Sequence, residues 1–564
     1  MAYFHAKSLL AAFAVSAGLS VFTSTYERSI TPLFASVPTG KYLPHVLYGT
    51  VALTFIVPRL TTSRASIALA VFCLLAPITS YRLGAYAARF RDPIKGPLTT
   101  HVMVLAPVVF AGASIIRNHV EVSDFLLSAL CILCLDISDD NVFFVLGSIH
   151  SITWAYMRLK ESTVMKSGKG KISSVLFRVI APAVLLPLLF LIVPSLRSPT
   201  LPHPLVGQYS SPSYPLRILS SIHSITGIVV VGELLPPPPS QDITSAHSFR
   251  FLRASHSLLG GVWIGSKVMT MNDALPMVDE QGTPLGDSIY SAFVLQEAAR
   301  LVDSAPHIQT RENALIIGLG AGISASAFTR HNMSTTVVEI DPAVYDASRR
   351  FFGLPDLGQD RVFLEDARKW VKNRKSSIDW SSSPTMYDII VHDCFSGGGV
   401  PGHIFTLEFW EDLKTIMSPE GVLAVNFAGK LGSDASRAVL VTLKKAFRQC
   451  RAFHDALEHM SDEQLRAEFI NMVFFCSMSP RPLNFRPAVE GDFLNSYMRR
   501  HILSSLPERE VNLTQITGSL APASEDLYVL TDKRNMLDEW QHDEALEHWK
   551  LMREVLPDIV WETY

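Results

Sequence analysis

Charged residues are scarce in this chain. They make up 18% of its 564 residues against 48% hydrophobic, and the mean hydropathy is +0.24. A soluble chain of this length is more polar, so an apolar block must be concentrated somewhere. The formal net charge is −3 and no long basic run occurs, which removes the electrostatic case for a nucleic-acid partner. Cysteine is also sparse. There are six, none with zinc-ligand spacing, so neither a metal site nor a disulfide framework is expected, and a reducing compartment fits the C-terminal half. Cys73, Cys131 and Cys134 lie in apolar runs and read as small core residues. Cys131 and Cys134 have redox-motif spacing, but no thioredoxin pattern surrounds them. Cys394 stands apart, directly after Asp393.

The apolar surplus falls in runs at 9–23, 42–57, 66–81, 102–116, 125–135, 142–157 and 175–193. Most are near the short end of a bilayer span, but their succession with short charged loops predicts an N-terminal all-α transmembrane bundle over 1–195. Asp136, Asp139 and Asp140 read as a loop between two runs, and the span count is about six or seven depending on that place. Lys7 precedes the first run without a small-x-small cleavage site after it, as in a retained first helix. Residues 196–216 are rich in Pro and Ser and read as a linker.

A short repeat follows in 217–283. Arg217 to Gly232 is echoed by Arg250 to Gly265, each apolar over strand lengths around a Ser/Gly turn, which predicts two β-hairpins in a small domain. The His-Ser pairs in the repeat, His223-Ser224 and His256-Ser257, read as turn residues before ligands.

Residues 284–564 carry the sequence form of an open α/β sheet. A helix is expected over 288–302, with Tyr290 near its start. Asn313-Ala-Leu-Ile-Ile runs into Gly318-Leu-Gly320-Ala-Gly322. Strands then end in Glu339-Ile-Asp341, in Glu365-Asp366-Ala367 and in His392-Asp393. Ligands of such sheets sit outside the carboxyl ends of the strands, and all four signals fall there. Gly318, Gly320 and Gly322 let backbone approach a ligand, and Glu339 lies about 20 residues on, where a ribose diol needs an acid. Later elements are expected at 421–427 (strand), 437–447 (helix), 469–477 and 526–531 (strands) and 537–554 (helix).

These motifs, with Tyr387-Asp388 and Phe405-Thr406, resemble the catalytic domain of spermidine and spermine synthases, a branch of the S-adenosylmethionine-dependent methyltransferase fold. The resemblance covers about 215–560 and implies a Rossmann-like sheet preceded by a small β-domain. It implies that Glu339 holds the ribose hydroxyls, Asp366 the adenine amino group, and Asp393 the transferred group, with Tyr290 as active-site tyrosine. Asp341 and Ala367 complete the expected nucleoside-binding set. Two amine-handling acids of the family are replaced, by Ala321 in the Gly-rich turn and by Ser396 after Asp393.

The expected co-substrate is therefore S-adenosylmethionine or its decarboxylated form, without a metal. Three functions follow: aminopropyl transfer to an amine, which the resemblance favours; methyl transfer to a protein, lipid or small molecule; and a nucleoside-binding scaffold without turnover. Either transfer needs a carboxylate such as Asp393 to take a proton from the acceptor. The lipid bilayer and a small-molecule acceptor are the expected partners, and a homodimer is compatible with the pattern. Orientation is read from Lys and Arg clusters around 82–95 and 158–171, which share a side with six spans and not with seven. Cytosolic supply of adenosyl compounds favours seven spans and a cytosolic catalytic half.

Overall fold

The computed structural model describes residues 2–119, 138–164, 191–235, 248–265, 268, 277–303, 312–377, 386–395, 397–518 and 522–564. The chain divides into two units, Met1–Leu201 with Leu556–Thr563, and Pro202–Val555 with Tyr564.

The first unit is helical. Its main helices are Ala2–Phe34, Leu43–Ile56, Thr62–Ala88 and Asp139–Val164, with a run from Lys95 to His119 that loosens into a π-turn at His101–Leu105. Among the described residues, two stretches are long and apolar enough to cross a membrane, Thr62–Ala88 and Lys95–Asn118. Of the runs expected to span, 125–135 and 175–190 lie outside the described residues, as do Cys131, Cys134 and Asp136. Asp139 and Asp140, expected in a loop, instead form the first turn of a helix, where acids face the exposed N–H groups. Asp139 pairs with Arg28 at 3.0 Å, and Asp140 accepts from the Ser198 amide at 3.0 Å. The segment Leu556–Thr563, expected in the catalytic domain, belongs to this helical unit. Arg89 forks onto the Glu562 carboxylate at 2.8 and 2.6 Å, and the Tyr81 hydroxyl donates to the Glu562 carbonyl at 2.7 Å.

The second unit holds two sheets. Both hairpins of the repeat form: β2 (Leu216–Ser224) with β3 (Gly227–Leu234), and β4 (Ser248–Ala254) with β5 (Ser257–Ile264). With β1 (Tyr209–Ser210), β6 (Met277–Val278) and β7 (Pro284–Ser288) they make one antiparallel sheet, ordered β1-β2-β3-β4-β5-β7-β6. A buried ion network, Glu233–Arg250–Asp279, ties it together, so each desolvated charge meets a partner.

The larger sheet has strands β8 (Asn313–Ile317), β9 (Ser334–Glu339), β10 (Val362–Leu364), β11 (Tyr387–His392), β12 (Met417–Gly429), β13 (Gln449–His454), β14 (Ile470–Ser477) and β15 (Glu510–Val511). Their order is β10-β9-β8-β11-β12-β14-β13-β15, parallel from β10 to β12, with β14 antiparallel to both its neighbours. Near-continuous apolar runs such as Ala314–Ile317 and Ile389–Val391 are buried, because helices cover both faces. The strand order reverses between β8 and β11, which opens a crevice at their carboxyl ends.

Three local expectations are corrected. The helix expected over 288–302 is β7, then Ser291–Gln296 with Tyr290 at its N-cap, then a tighter turn Glu297–Leu301. Glu297 is fully buried there, and Arg499 claims it at 2.8 Å. Of the strand expected at 526–531, residues 526–528 end the helix Pro522–Tyr528, and Thr531 makes an isolated bridge with Arg534. The cysteines, expected to form no disulfide framework, hold one bond. Cys450 and Cys476 stand opposite each other on β13 and β14 and are bonded, with Cα atoms 4.1 Å apart.

Candidate active site

The carboxyl edge of the large sheet is a row of polar groups, and pairing fixes their order: Asp366 after β10, Glu339 on β9, the glycine turn after β8, Asp393 after β11, Asn426 on β12, Asn471 on β14 and Asp455 after β13. The parallel strands end at this edge, β14 begins there, and β13 returns to it.

Gly318, Gly320 and Gly322 have φ of +82°, +53° and +75°, a region closed to most side chains. The close approach they permit is to the protein's own backbone. A Cβ at Gly318 would lie 2.0 Å from the Asp393 carbonyl oxygen, and one at Gly320 would lie 2.5 Å from that of Leu259. The turn is thus wedged between the end of β11 and the small sheet. Ala321, which the family pattern places beside the cofactor tail, is buried against Phe293 and Gly260 instead. Its amide donates to Leu259 at 3.0 Å, and the missing side chain of Gly260 makes room for its methyl. Ser396 lies outside the described residues.

Glu339 faces inward at the strand end. Its two oxygens accept from the amides of Leu319 at 2.8 Å and Asp341 at 2.9 Å, so one carboxylate stitches the glycine turn to the next loop. Burial raises its pKa against these amide bonds. Asp341, expected at the nucleoside, is fully buried and engaged elsewhere. It caps the helix Pro342–Phe351 through Ala343 and takes Ser224 Oγ and both the amide and hydroxyl of Thr226 from the β2–β3 turn. Ser224, of the first repeated His-Ser pair, is thus a turn residue holding the two sheets together.

Asp366, expected to meet adenine, also has both oxygens occupied. Oδ1 accepts from the Lys369 amide at 2.9 Å as a helix cap, and Oδ2 lies 2.8 Å from His403 Nε2. Burial alone would raise this carboxyl, but His403 and the helix amides outweigh it and hold it below its ordinary value. Ala367 is buried in the core under that helix start. Two exposed apolar side chains flank these acids, Ile340 at 43% and Leu364 at 45%. They are apolar surface at the edge of a polar row.

Asp393 sits at the crevice itself. Gln296 donates to Oδ2 at 2.6 Å and Asn426 to Oδ1 at 2.9 Å, while burial raises its pKa. Gln296 is anchored in turn by Ser324 Oγ at 2.7 Å, on the helix after the glycine turn. Burial first, and then neighbouring carboxylates, push the Cys394 thiol well above the usual range.

Tyr290 does not hydrogen-bond Asp393. Its ring meets Phe293 edge-on at 6.2 Å, and its buried hydroxyl has no partner among the described residues. Burial, and then the charge of Asp455, raise the phenol pKa. Asp455 was not legible beforehand. It accepts from Ser291 Oγ at 3.2 Å and Asn471 Nδ2 at 3.4 Å, and burial lifts its pKa to about 6. Gln296, Asn426 and Asn471 were missed as well. The available signal was a polar residue inside otherwise apolar strands, as in Val425-Asn426-Phe427.

Residues 299–460 match the model of the spermine/spermidine synthase domain family. Over 594 aligned residues the chain is 30% identical to the N-terminal histidine N-methyltransferase of Emericella nidulans, spanning 99% of this chain and 97% of that one. It is 35% identical over 149 residues to the polyamine aminopropyltransferase of Vibrio vulnificus, and there the match spans 26% of this chain and 46% of the relative. Among solved structures, a probable spermidine synthase from Corynebacterium glutamicum aligns with TM-score 0.34 at 16% identity, over 54% of this chain and 93% of that one.

Proposed function

This chain belongs to the family of the N-terminal histidine N-methyltransferase of Emericella nidulans and is a transferase with a spermidine-synthase-like domain, and from that premise we propose that it transfers methyl from S-adenosylmethionine to the N-terminal histidine of a protein. The observation that carries the reading is likeness along the whole chain, helical unit included, whereas the aminopropyltransferase match spans about a quarter of it. The site supports it. Ala321 supplies no acid for a polyamine, and its surroundings leave none room.

The residues at the edge fit S-adenosylmethionine. Glu339 keeps lone pairs free for ribose hydroxyls after its two amide bonds, and Ile340 and Leu364 offer apolar surface for the purine. Bound there, the cofactor supplies an electrophilic methyl on a sulfonium. Asp393, between the glycine turn and Asn426, is the acid placed to orient the attacking nitrogen and take its proton. Gln296 and Asn426 fix the orientation of that carboxyl.

We also propose a multi-pass membrane anchor in the helical unit, on the strength of the two long apolar helices. For the catalytic unit we propose an oxidising side, against the cytosolic placement that cofactor supply favours. The Cys450–Cys476 bond and the exposed glycosylation sequons at Asn332 and Asn512 support this. A histidine becomes N-terminal only after a preceding segment is cut away, which suits a compartment where leaders are removed.

The test is incubation of the full chain with S-adenosylmethionine and a peptide beginning with histidine, read by mass spectrometry, with calorimetry of intact against decarboxylated cofactor. One added methyl on the first residue and tighter binding of the intact cofactor are expected. Aminopropyl transfer from the decarboxylated form would overturn the reading. A shift on glycosidase treatment, lost in Asn332→Gln/Asn512→Gln, is expected for the proposed side.

A further inference from the structure

The methyl-transfer reading, on which this inference rests, leaves one acid of the sheet edge without a task. Asp455 follows β13, with β14 and β12 separating it from Asp393 on β11. Strands lie about 4.8 Å apart, so the two backbones are separated by roughly 14 Å, too far for both carboxyls to serve one atom without converging side chains. Two side-chain donors reach Asp455, Ser291 Oγ at 3.2 Å and Asn471 Nδ2 at 3.4 Å, both on Oδ2, and its own amide also turns toward the carboxylate. Beside it lies the partnerless hydroxyl of Tyr290. Arg509 is the cation whose charge Asp455 feels, but its guanidinium is engaged by the Ala456 carbonyl and by Ser505 Oγ.

Tyr290 and Ser291 are consecutive at a helix start, and the buried Arg499–Glu297 pair locks the turn that continues it. The same short helix ends in Gln296, which holds Asp393. One rigid element therefore sets Tyr290, Asp455 and Asp393 relative to one another.

We propose that Asp455 and Tyr290 bind the protonated α-amino group of the acceptor peptide, and so make the enzyme select a chain terminus. An alkylammonium has three N–H donors and no acceptor. Among the described residues Tyr290 Oη has no partner, and no side-chain donor reaches Asp455 Oδ1. A peptide whose amine is blocked brings no charge and one N–H, and would leave the half-buried Asp455 carboxylate without a cation on it. Asp393 differs, because both its oxygens are already held by amides and it borders the glycine turn. The two acids divide the acceptor: Asp393 at the reacting nitrogen, Asp455 at the terminus.

The experiment measures methyl transfer by the full chain to two peptides of one sequence beginning with histidine, one with a free amine and one acetylated. The wild type is expected to show a KM about 10–100-fold lower for the free amine, the range of a charged hydrogen bond. Asp455→Asn should raise the KM of the free peptide by about that factor and erase the preference, with kcat far less affected. Tyr290→Phe should move the same ratio less, by about 3–10-fold. Unchanged affinity for S-adenosylmethionine reports an intact fold. Should Asp455→Asn fail to fold, Tyr290→Phe carries the test, and an unmoved KM ratio overturns the proposal. A preference retained in folded Asp455→Asn also overturns it, as does a collapse of kcat at unchanged KM. Equal use of both peptides by the wild type sinks the anchor alone, whereas no transfer to either sinks the methyl-transfer reading with it.

Discussion

Replacing Glu339 by alanine tests what that acid is for. The ribose role alone predicts lost cofactor affinity in a fully stable protein. The structure predicts more. Glu339 accepts the amides of Leu319 and Asp341 at 2.8 and 2.9 Å, in a site where the residue is 6% exposed. Glu339→Ala strands both donors away from water, at about 1–3 kcal/mol each. Relief from burying a carboxylate, visible in its raised pKa, offsets part of that. The net loss of stability is about 2–4 kcal/mol. Glu339→Gln keeps one acceptor oxygen, strands one amide and should lose about half as much. Urea unfolding followed by tryptophan fluorescence reads this, since Trp370 and Trp410 lie in the core of the same sheet. Cofactor affinity, measured on the folded fraction, should fall by a further 1.5–3 kcal/mol, roughly, for bonds to a charged acceptor. An alanine variant as stable as wild type would show that the two amides find other partners and that Glu339 does not organise the glycine turn.

Asp455→Asn should stabilise the protein at neutral pH while weakening the acceptor site. A folded-state pKa near 6 against 3.8 means the folded protein holds the proton more tightly, so stability falls as pH rises from about 4 to 6 and stays lower above. The difference is worth up to about 3 kcal/mol, and pH-dependent melting of the variant should lack that fall. Reduction, or Cys450→Ser, should cost about 3.5 kcal/mol for a sequence separation of 26, seen as a lower melting temperature in reductant. Cys394 should resist alkylation at pH 8 in the native state and react on unfolding, since its thiol is held protonated.

The order of strand-end acids was legible because each strand announces itself by an apolar run and stops at a polar residue. What each acid does was not. Glu339 and Asp341 are two residues apart and chemically alike, yet one faces the glycine turn and the other is consumed by a hairpin turn 115 residues earlier in the chain. Only the docking of the small sheet decides between them. Asp455 was hidden for a similar reason. It reaches the site through β13–β14 pairing, the same pairing that brings Cys450 opposite Cys476, and nothing local encodes that register. The helix expected over 288–302 carries helical periodicity, but Glu297 has a buried Arg499 partner that a separation of 202 positions conceals. The hairpin repeat, by contrast, is local, and both copies formed where expected.

The allocation of Leu556–Thr563 to the helical unit sets an order of events during synthesis. The helical unit cannot complete its packing until the whole of Pro202–Val555 has been translated, because Glu562 is the partner of Arg89 and Tyr81. At ordinary elongation rates that delay is roughly 20–70 s, long enough for the catalytic unit to fold first. In sequence, the catalytic unit is then inserted within the helical one. A ribosome that stalls before residue 556 yields a catalytic unit complete but for Tyr564, and a helical unit that lacks the Asp558–Glu562 helix and so the partner of Arg89.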